Sequence, residues 1–247
     1  MHNIKKNNSE KNNYTLKKLI FPPLAKGDLS SVKIDDESIK YVTFYNSAQE
    51  ITNIIMNNLD DFPCPDSFAV APGKWDSLSL LAKMSELVIT EMTAGIGGNI
   101  LNFANYFKYV NGIEIDPVRC AYLKSNIELY EFLNVNYYND DSVKLLIDAD
   151  NIVQDIIFFD PPWGGKNYKT HVNLKLFFGY KNESIENICK SLLNRPRNKM
   201  IVLKLPNNYD FDYFVDELKA HRVILYKLDR MTIVVVKNGF SNIPTSI

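Results

Sequence analysis

The chain is 247 residues long and carries 28 lysines and arginines against 29 aspartates and glutamates, so its formal net charge is −1. This balance excludes a protein that attracts nucleic acid through overall basicity, and any RNA or DNA contact must come from local patches. Hydrophobic residues make up 46% of the chain, enough for one large domain or one domain with an extension. Three scattered cysteines, no signal-like N-terminus and no apolar run of membrane-spanning length predict an intracellular protein, cytoplasmic or nuclear, without a membrane partner.

The first 85 residues are expected to form two segments ahead of the main domain. Residues 1–34 are polar, with lysines interrupted by asparagines, which favours a flexible terminal arm over a basic arm for RNA. Residues 35–85 are expected to form a helical extension. Its first helix is predicted to start at a capping box, Ser47–Glu50, and its second near Asp76 or Ser77.

Residues 86–247 alternate between strand-like apolar runs and helix-like segments, which is typical of an α/β domain. The pattern predicts a doubly wound, mostly parallel sheet that is closed by an antiparallel C-terminal pair. The predicted strands are Leu87–Thr90, Tyr109–Ile115, Val135–Tyr138, Ile156–Phe159, Lys199–Leu205, Val223–Leu228 and Thr232–Lys237. The predicted helices cover residues 100–107, 116–130, 184–193 and 210–218. Ligands of such sheets bind at the carboxyl ends of the parallel strands.

Polar stretches follow the first three of these strands. Residues 91–99 form a turn whose glycines let a ligand approach the backbone, and Glu91 is able to accept from a ligand ammonium group. Glu114 ends the next strand about 20 residues after the glycines, where a ribose diol is commonly held. Asp116 is an ordinary helix cap in this pattern. In residues 139–141, one side chain is a candidate acceptor for an adenine amine, and a solvated turn is an equally good interpretation.

The fourth strand is followed by Asp160, Pro161, Pro162 and Trp163. Because prolines lack N–H donors, strand pairing stops and a stiff turn presents a carboxylate, carbonyl groups and an indole face. These groups suit a planar base with an exocyclic amine, since the oxygens accept its N–H bonds and the indole stacks on its ring. The pattern resembles the amine-methylating motif of S-adenosylmethionine-dependent methyltransferases.

Three stretches together resemble a narrower family, the trimethylguanosine synthases, which are RNA cap guanine-N2 methyltransferases. They are Ala94–Asn99, Ile115–Val118, and Pro161–Gly165 followed by Tyr168, within a match from about Phe68 to Lys237. The resemblance implies a Rossmann-like class I methyltransferase fold, S-adenosylmethionine as cofactor, and 7-methylguanosine-capped RNA or cap analogues as partner. It implies methyl transfer to the N2 amine of the cap. We expect a monomer. We also expect no metal, since the histidines show no metal spacing.

The resemblance also implies roles for individual residues. The amine would be oriented by hydrogen bonds to the Asp160 carboxylate and the Pro161 carbonyl, which are the catalytic groups. The cap-binding set is Trp163, Tyr168, Lys204 and Lys40, with Trp163 stacking on the base. The cofactor-binding set is Phe68, Pro72, Glu91, Thr93, Ala94, Gly95, Gly97, Asn99, Glu114, Asp116 and Asp141.

Some residues depart from the family's usual ones, namely Glu91 and Glu114 for Asp, Ala71 for Thr, Asn207 for Arg and Asp160 for Ser. The absent arginine leaves the phosphate contact to Lys204, Arg230 or Lys74. If Asp160 only orients the amine, Asp160→Ser should keep measurable activity.

Asp160 also brings the motif nearer to that of adenine-N6 methyltransferases acting on DNA or RNA, which are the main alternative. The two glycines after Trp163 and the absence of a target-recognition domain argue against that alternative. A catalytically silent RNA-binding subunit of the same fold is a further alternative. It is disfavoured because the cofactor positions all carry residues able to bind a ligand.

Overall fold

The computed structural model describes residues 14–60, 62 and 76–238. It divides into two compact units, residues 1–140 and 141–247. Phe68 and Pro72, predicted to bind the cofactor, lie outside the described residues, as does Lys74. Within the described part, no helix is long and apolar enough to cross a membrane, and no cluster of His, Cys, Asp and Glu side chains is able to hold a metal ion.

The first unit contains three parallel strands, β1 (Val88–Glu91), β2 (Tyr109–Ile113) and β3 (Val135–Tyr138). Strand β2 lies between the other two, with Ile89 of β1 beside Val110 and Val110 beside Val135 of β3. The side chains of Ile89 and Val110 are fully buried. Because the strands are parallel, their carboxyl ends lie at one edge of the sheet, where Glu91 pairs with Gly112.

The helices of the first unit are α1 (residues 14–20), α2 (Tyr45–Met56), α3 (Ser77–Met84), α4 (Ile100–Phe103) and α5 (Pro117–Leu129). Asp116 caps α5 by accepting backbone N–H bonds, as predicted, and α3 starts at the predicted place, where Asp76 is its cap. The predicted capping box at Ser47 is wrong, because α2 begins at Tyr45 after Phe44, which makes no side-chain cap. The helix is stabilised instead by its buried apolar face, which includes Ile51 and Ile55.

Residues 14–34 differ from the flexible polar terminus that the sequence favours. Ile20 and Phe21 are buried, and the Lys17 ammonium donates to the carbonyls of Ser30 and Val32 at 2.7 and 2.8 Å. The ammonium thereby satisfies carbonyls that have no regular partner in a loop. The apolar pair Ile20 and Phe21 anchors this segment because its burial outweighs the polar character of the surrounding residues. The predicted segment boundaries after residues 34 and 85 stay predictions.

The strands of the second unit are β4 (Ile156–Phe159), β5 (Phe177–Phe178), β6 (Glu183–Ser184), β7 (Met200–Pro206), β8 (Arg222–Lys227) and β9 (Met231–Lys237). Strands β4 and β7 are parallel, and β9 runs antiparallel to both β7 and β8. The short pair β5 and β6 forms a separate antiparallel ribbon that was not predicted. The predicted class, α/β with mostly parallel strands and an antiparallel C-terminal pair, is confirmed.

Two helices of the second unit follow the sequence prediction closely. They are α6 (Ile185–Leu193), capped by Ser184, and α7 (Phe211–Glu217), capped by Asp210. All four residues of β4 are fully buried. Burying side chains of this size is worth about 1.5–3 kcal/mol each, so the strand that leads into Asp160 is firmly anchored.

Candidate active site

The glycine turn after β1 contacts the carboxylate that follows β2. The backbone N–H of Gly95 donates to Glu114 Oε2 at 2.7 Å, and the N–H of Asp116 donates to Oε1 at 2.9 Å. Gly95 and Gly97 have φ values of +55° and +103°, which favour glycine. A Cβ at Gly95 would meet no atom of the described residues within 4 Å, so these residues leave space beside the Glu114 carboxylate.

A buried polar network supports the same turn. The Asn99 side chain donates to Glu91 Oε1 at 2.8 Å and to Thr43 Oγ1 at 3.3 Å. A Cβ at Gly98 would lie 2.8 Å from the Thr43 carbonyl oxygen, so glycine is needed where residues 42–43 pack on the turn. Asn99 Oδ1 is buried and has no hydrogen-bond partner in the described part of the chain. The contact of Thr43 with the turn was not predicted. Gly98 is the one sequence feature that could have indicated it, because a larger residue would not fit beside Thr43.

Other predicted cofactor residues have structural partners. Ala94 is buried in the turn, Thr93 precedes it, and the Asp116 carboxylate caps α5. The Asn139 side chain donates to the Glu114 carbonyl oxygen at 2.8 Å and thereby holds the segment after β2. Asp141 accepts from the backbone N–H groups of three residues, namely Val143, Lys144 and Tyr180. This capping agrees with the turn interpretation of residues 139–141, and an adenine contact by Asp141 stays a prediction.

In the second unit, Asp160 follows β4 and is held by a lysine of β7. Lys204 Nζ lies 2.6 Å from Asp160 Oδ2, and the two side chains are only 9% and 16% exposed, respectively. Burial raises the pKa of Asp160, and the positive charge and hydrogen bond of Lys204 oppose this effect. The carboxylate predicted to orient an amine is therefore already fixed by a charged partner. From the sequence, Lys204 was one of three candidates for the cap phosphates, with Arg230 and Lys74.

Trp163 is held by the same lysine. Its indole Nε1 donates to the Lys204 carbonyl oxygen at 3.2 Å, and Lys204 Nζ lies 5.5 Å from the centroid of the Trp163 ring. The Tyr168 ring meets the indole edge to face, with centroids 5.2 Å apart and an interplanar angle of 71°. Trp163 is half-buried, so it is not a core residue. A carboxylate able to accept hydrogen bonds, Asp160, and a ring able to stack, Trp163, thus both follow the buried strand β4.

The glycines after Trp163 shape the chain so that Tyr168 returns to the indole. Gly164 and Gly165 have φ values of +88° and +75°, and they lead into a 3₁₀ helix, Gly165–Thr170. The Asn208 side chain donates to the Tyr168 carbonyl at 2.7 Å and thereby fixes the end of this helix. The two glycines belong to the motif that the sequence analysis singled out. No feature of the sequence around Asn208 indicated that its side chain would contact the Tyr168 carbonyl.

Asn207 stands where the family pattern has arginine. Its side chain donates to the carbonyls of Leu228 and Asp229 and accepts from Thr232 Oγ1, so it fixes the β8–β9 hairpin. That hairpin carries Arg230, whose side chain is 90% exposed. Of the basic residues considered for the phosphates, Lys204 contacts Asp160 and Arg230 is open to solvent. Lys40 is also exposed, at the end of a 3₁₀ turn in the first unit.

Comparison with known proteins identifies relatives of the chain. Residues 86–243 match a protein family described as RNA cap guanine-N2 methyltransferase. The protein L320 of Acanthamoeba polyphaga mimivirus is 56% identical over 226 residues, which cover 92% of this chain and 87% of that protein. The trimethylguanosine synthase of Schizosaccharomyces pombe is 33% identical over 109 residues, 42% of this chain and 43% of the yeast enzyme.

Two further comparisons show the extent of the likeness. The trimethylguanosine synthase of Saccharomyces cerevisiae is 28% identical over 158 residues, 62% of this chain and 48% of that enzyme. The chain therefore spans less than half the length of each of these two yeast enzymes. Among solved structures, the Pyrococcus horikoshii protein PH1948, a candidate RNA methyltransferase, has a TM-score of 0.50 at 13% identity, covering 93% of this chain and 100% of that protein. At this identity the likeness concerns the fold alone.

Proposed function

Because the chain belongs to the RNA cap guanine-N2 methyltransferase family and is thus an S-adenosylmethionine-dependent RNA methyltransferase, we propose that it methylates the exocyclic N2 amine of 7-methylguanosine caps. The family match also confirms the predicted Rossmann-like methyltransferase fold and the predicted cofactor. The observation that carries the proposal is the pairing of a fixed carboxylate, Asp160, with a half-buried indole, Trp163, in one turn. A monomeric state and an intracellular location stay predictions.

The first unit offers groups that suit the cofactor. S-adenosylmethionine supplies an electrophilic methyl group on a sulfonium sulfur. Glu114 accepts one backbone N–H at each oxygen, and each oxygen has capacity for one more donor, as a ribose diol requires. The open space at Gly95 admits a ligand to the backbone of the turn. Asn99 Oδ1 is a buried acceptor suited to an ammonium group, beside the charge of Glu91.

In the second unit, the proposed chemistry depends on orientation rather than on a strong base. The lone pair of an exocyclic amine is delocalised into its ring, and hydrogen bonds to Asp160 and the Pro161 carbonyl turn it towards the methyl group. As the new C–N bond forms, positive charge develops on the amine nitrogen, and the Asp160 carboxylate stabilises it. The methyl–sulfur bond would break as the C–N bond forms, and the acidified amine proton would pass to water after the attack.

Trp163 and the basic residues select the substrate in this proposal. The ring of 7-methylguanine carries a positive charge, which adds cation–π attraction to stacking on the Trp163 indole. Tyr168 meets the indole edge to face, and the family resemblance assigns it to the cap phosphates. Arg230 is the described candidate for the cap phosphates once Lys204 is assigned to Asp160. Lys40 stays a further candidate.

The test is radiolabelled methyl transfer to three separate substrates: a 7-methylated cap dinucleotide, the same dinucleotide without the 7-methyl group, and an adenine-containing oligonucleotide. We expect transfer to the first and little to the other two. A Trp163→Phe variant is the matched control, because it keeps an aromatic face and removes the indole N–H. Transfer to the adenine oligonucleotide with none to the cap would replace the proposal by the adenine-N6 alternative, for which Asp160 is the supporting observation.

A further inference from the structure

Lys204 makes several contacts with the Asp160–Trp163 turn, and they involve both of those side chains. Its ammonium lies 2.6 Å from Asp160 Oδ2 and 5.5 Å from the Trp163 ring centroid, while its carbonyl accepts from Trp163 Nε1. The side chain is 9% exposed, so the ammonium has few water molecules to replace Asp160. Its position on β7 is rigid, because all seven residues of that strand are buried.

A second ion pair joins the same two strands at their other end. Lys199 precedes β7, Asp155 precedes β4, and their side chains meet at 2.8 Å. Both pairs join residues 44 positions apart, which is the register in which Ile156 lies beside Met200. The Lys199 and Asp155 side chains are 38% and 24% exposed. The strand register therefore creates both pairs, whereas only the pair at the carboxyl end is buried beside an indole.

We propose that Lys204 is a positioning residue of the function proposed above: it fixes the Asp160 carboxylate for the amine, and Asp160 in turn cancels the ammonium charge beside Trp163. An ammonium without that carboxylate would repel the cationic ring of 7-methylguanine. A serine at position 160 is neutral and would leave this charge uncompensated. The aspartate and the lysine thus form one functional unit, in which each residue requires the other.

The test is a double-mutant cycle on methyl transfer to 7-methylated cap dinucleotide. Asp160→Ser and Lys204→Met are each expected to lower kcat/KM at least about tenfold, because each leaves a buried charge without its partner. The combined variant removes both charges, and we expect it to be at least about tenfold more active than Asp160→Ser alone. A combined variant whose loss equals the product of the two single losses would overturn the proposal.

The pair at the other end of the strands is the matched control. Asp155→Ser, Lys199→Met and their combination make the same chemical changes on the same two strands. Because that pair is partly exposed, each control variant should stay within about threefold of the wild type. Control losses as large as those at the carboxyl end would show that any broken pair on β4 and β7 disturbs the enzyme, and would contradict a positioning function.

A pH profile separates positioning from mere support of the fold. The Asp160 pKa is raised by burial, and the charged group that opposes this is Lys204 on β7. Tyr168 beside Trp163, and Lys169 over the Tyr168 ring, are further titratable side chains near the turn. Loss of Lys204 raises the Asp160 pKa further, so the acid limb of kcat should move to higher pH in Lys204→Met and stay in place in Lys199→Met. A uniform loss at every pH would indicate structural support only.

A binding measurement tests the charge cancellation even if the wild type methylates none of the substrates, an outcome that would remove the proposed function by itself. Trp75→Phe serves as the background, so that fluorescence reports Trp163, the other of the two tryptophans. In Asp160→Ser, the preference for 7-methylguanosine diphosphate over guanosine diphosphate should fall about fivefold or more, and it should return when Lys204→Met is added. An unchanged preference in all variants would overturn the inference.

Discussion

Glu114 and Asp160 are carboxylates that follow parallel strands, and they are held in different ways. Glu114 accepts from the backbone N–H groups of Gly95 and Asp116, which are present whatever side chains stand there. Asp160 is held by the side chain of Lys204, a partner that a single substitution removes. The difference teaches that the contribution of Asp160 depends on a second residue, whereas that of Glu114 depends on the shape of its turn.

The strongest test of this comparison is Asp160→Ala. It removes the proposed acceptor for the amine and leaves the Lys204 ammonium buried without its carboxylate. We expect kcat to fall by about 10²–10³, since the loss of one transition-state hydrogen bond costs about 2.7–4 kcal/mol. Single-turnover kinetics at saturating cofactor measure the effect, and Asp155→Ala is the control. Activity near that of the wild type would remove Asp160 from the chemistry.

Glu114→Ala should weaken the binding of the cofactor and leave the binding of the base unchanged. Hydrogen bonds to a charged group are worth about 1.5–3 kcal/mol, so the affinity for S-adenosylmethionine should fall at least about tenfold. Calorimetric titration measures it, with Asp76→Ala as a control that loses a helix cap and is not among the residues expected to bind the cofactor. Undiminished affinity in Glu114→Ala would withdraw the ribose assignment.

Trp163→Ala sharpens the comparison on the substrate side of the turn. Base stacking is worth about 1–3 kcal/mol, so cap affinity and transfer should fall about five- to a hundredfold. The melting temperature and cofactor affinity should stay near normal, because the indole is half-buried. Differential scanning calorimetry and cofactor titration provide these checks. A large loss of stability with unchanged cap affinity would assign Trp163 to the core instead.

The smallest expected effect is that of Lys199→Met at the amino end of β7. A partly exposed ion pair contributes about 0–1 kcal/mol, so the free energy of unfolding in urea should change by no more than that. Lys204→Met should change it more, because its partner stays buried. Equal changes for the two variants would break the distinction between the two ends of the strands.

Much of the fold and part of the site follow from local sequence. Strands such as Ile156–Phe159 were predicted from apolar runs, the Asp116 cap from its position before Pro117, and a helix start near Asp76 or Ser77. The glycine turn and Glu114 were predicted to lie at neighbouring strand ends, and the hydrogen bond from the Gly95 N–H to Glu114 agrees with this placement. These features depend on neighbouring residues or on a general rule of sheets.

The unpredicted features depend on long-range register. Lys204 and Asp160 are 44 residues apart, and their contact requires β4 and β7 to be paired in one particular alignment. The hydrogen bonds from the Asn207 and Asn208 side chains to backbone carbonyls form only when the β8–β9 hairpin and the 3₁₀ helix are folded. The sequence alone therefore predicts that Asp160→Ser keeps measurable activity. The contact with Lys204 adds the expectation that this activity rises again when Lys204 is replaced as well.

The most direct test of the central claim uses one RNA that carries both candidate targets. The substrate is a short transcript with a 7-methylguanosine cap and internal adenines, incubated with the wild type and isotopically labelled S-adenosylmethionine. After digestion to nucleosides, mass spectrometry locates the transferred methyl group. We predict the label on N2 of the cap guanine, and label on adenine N6 with an unchanged cap would contradict the account.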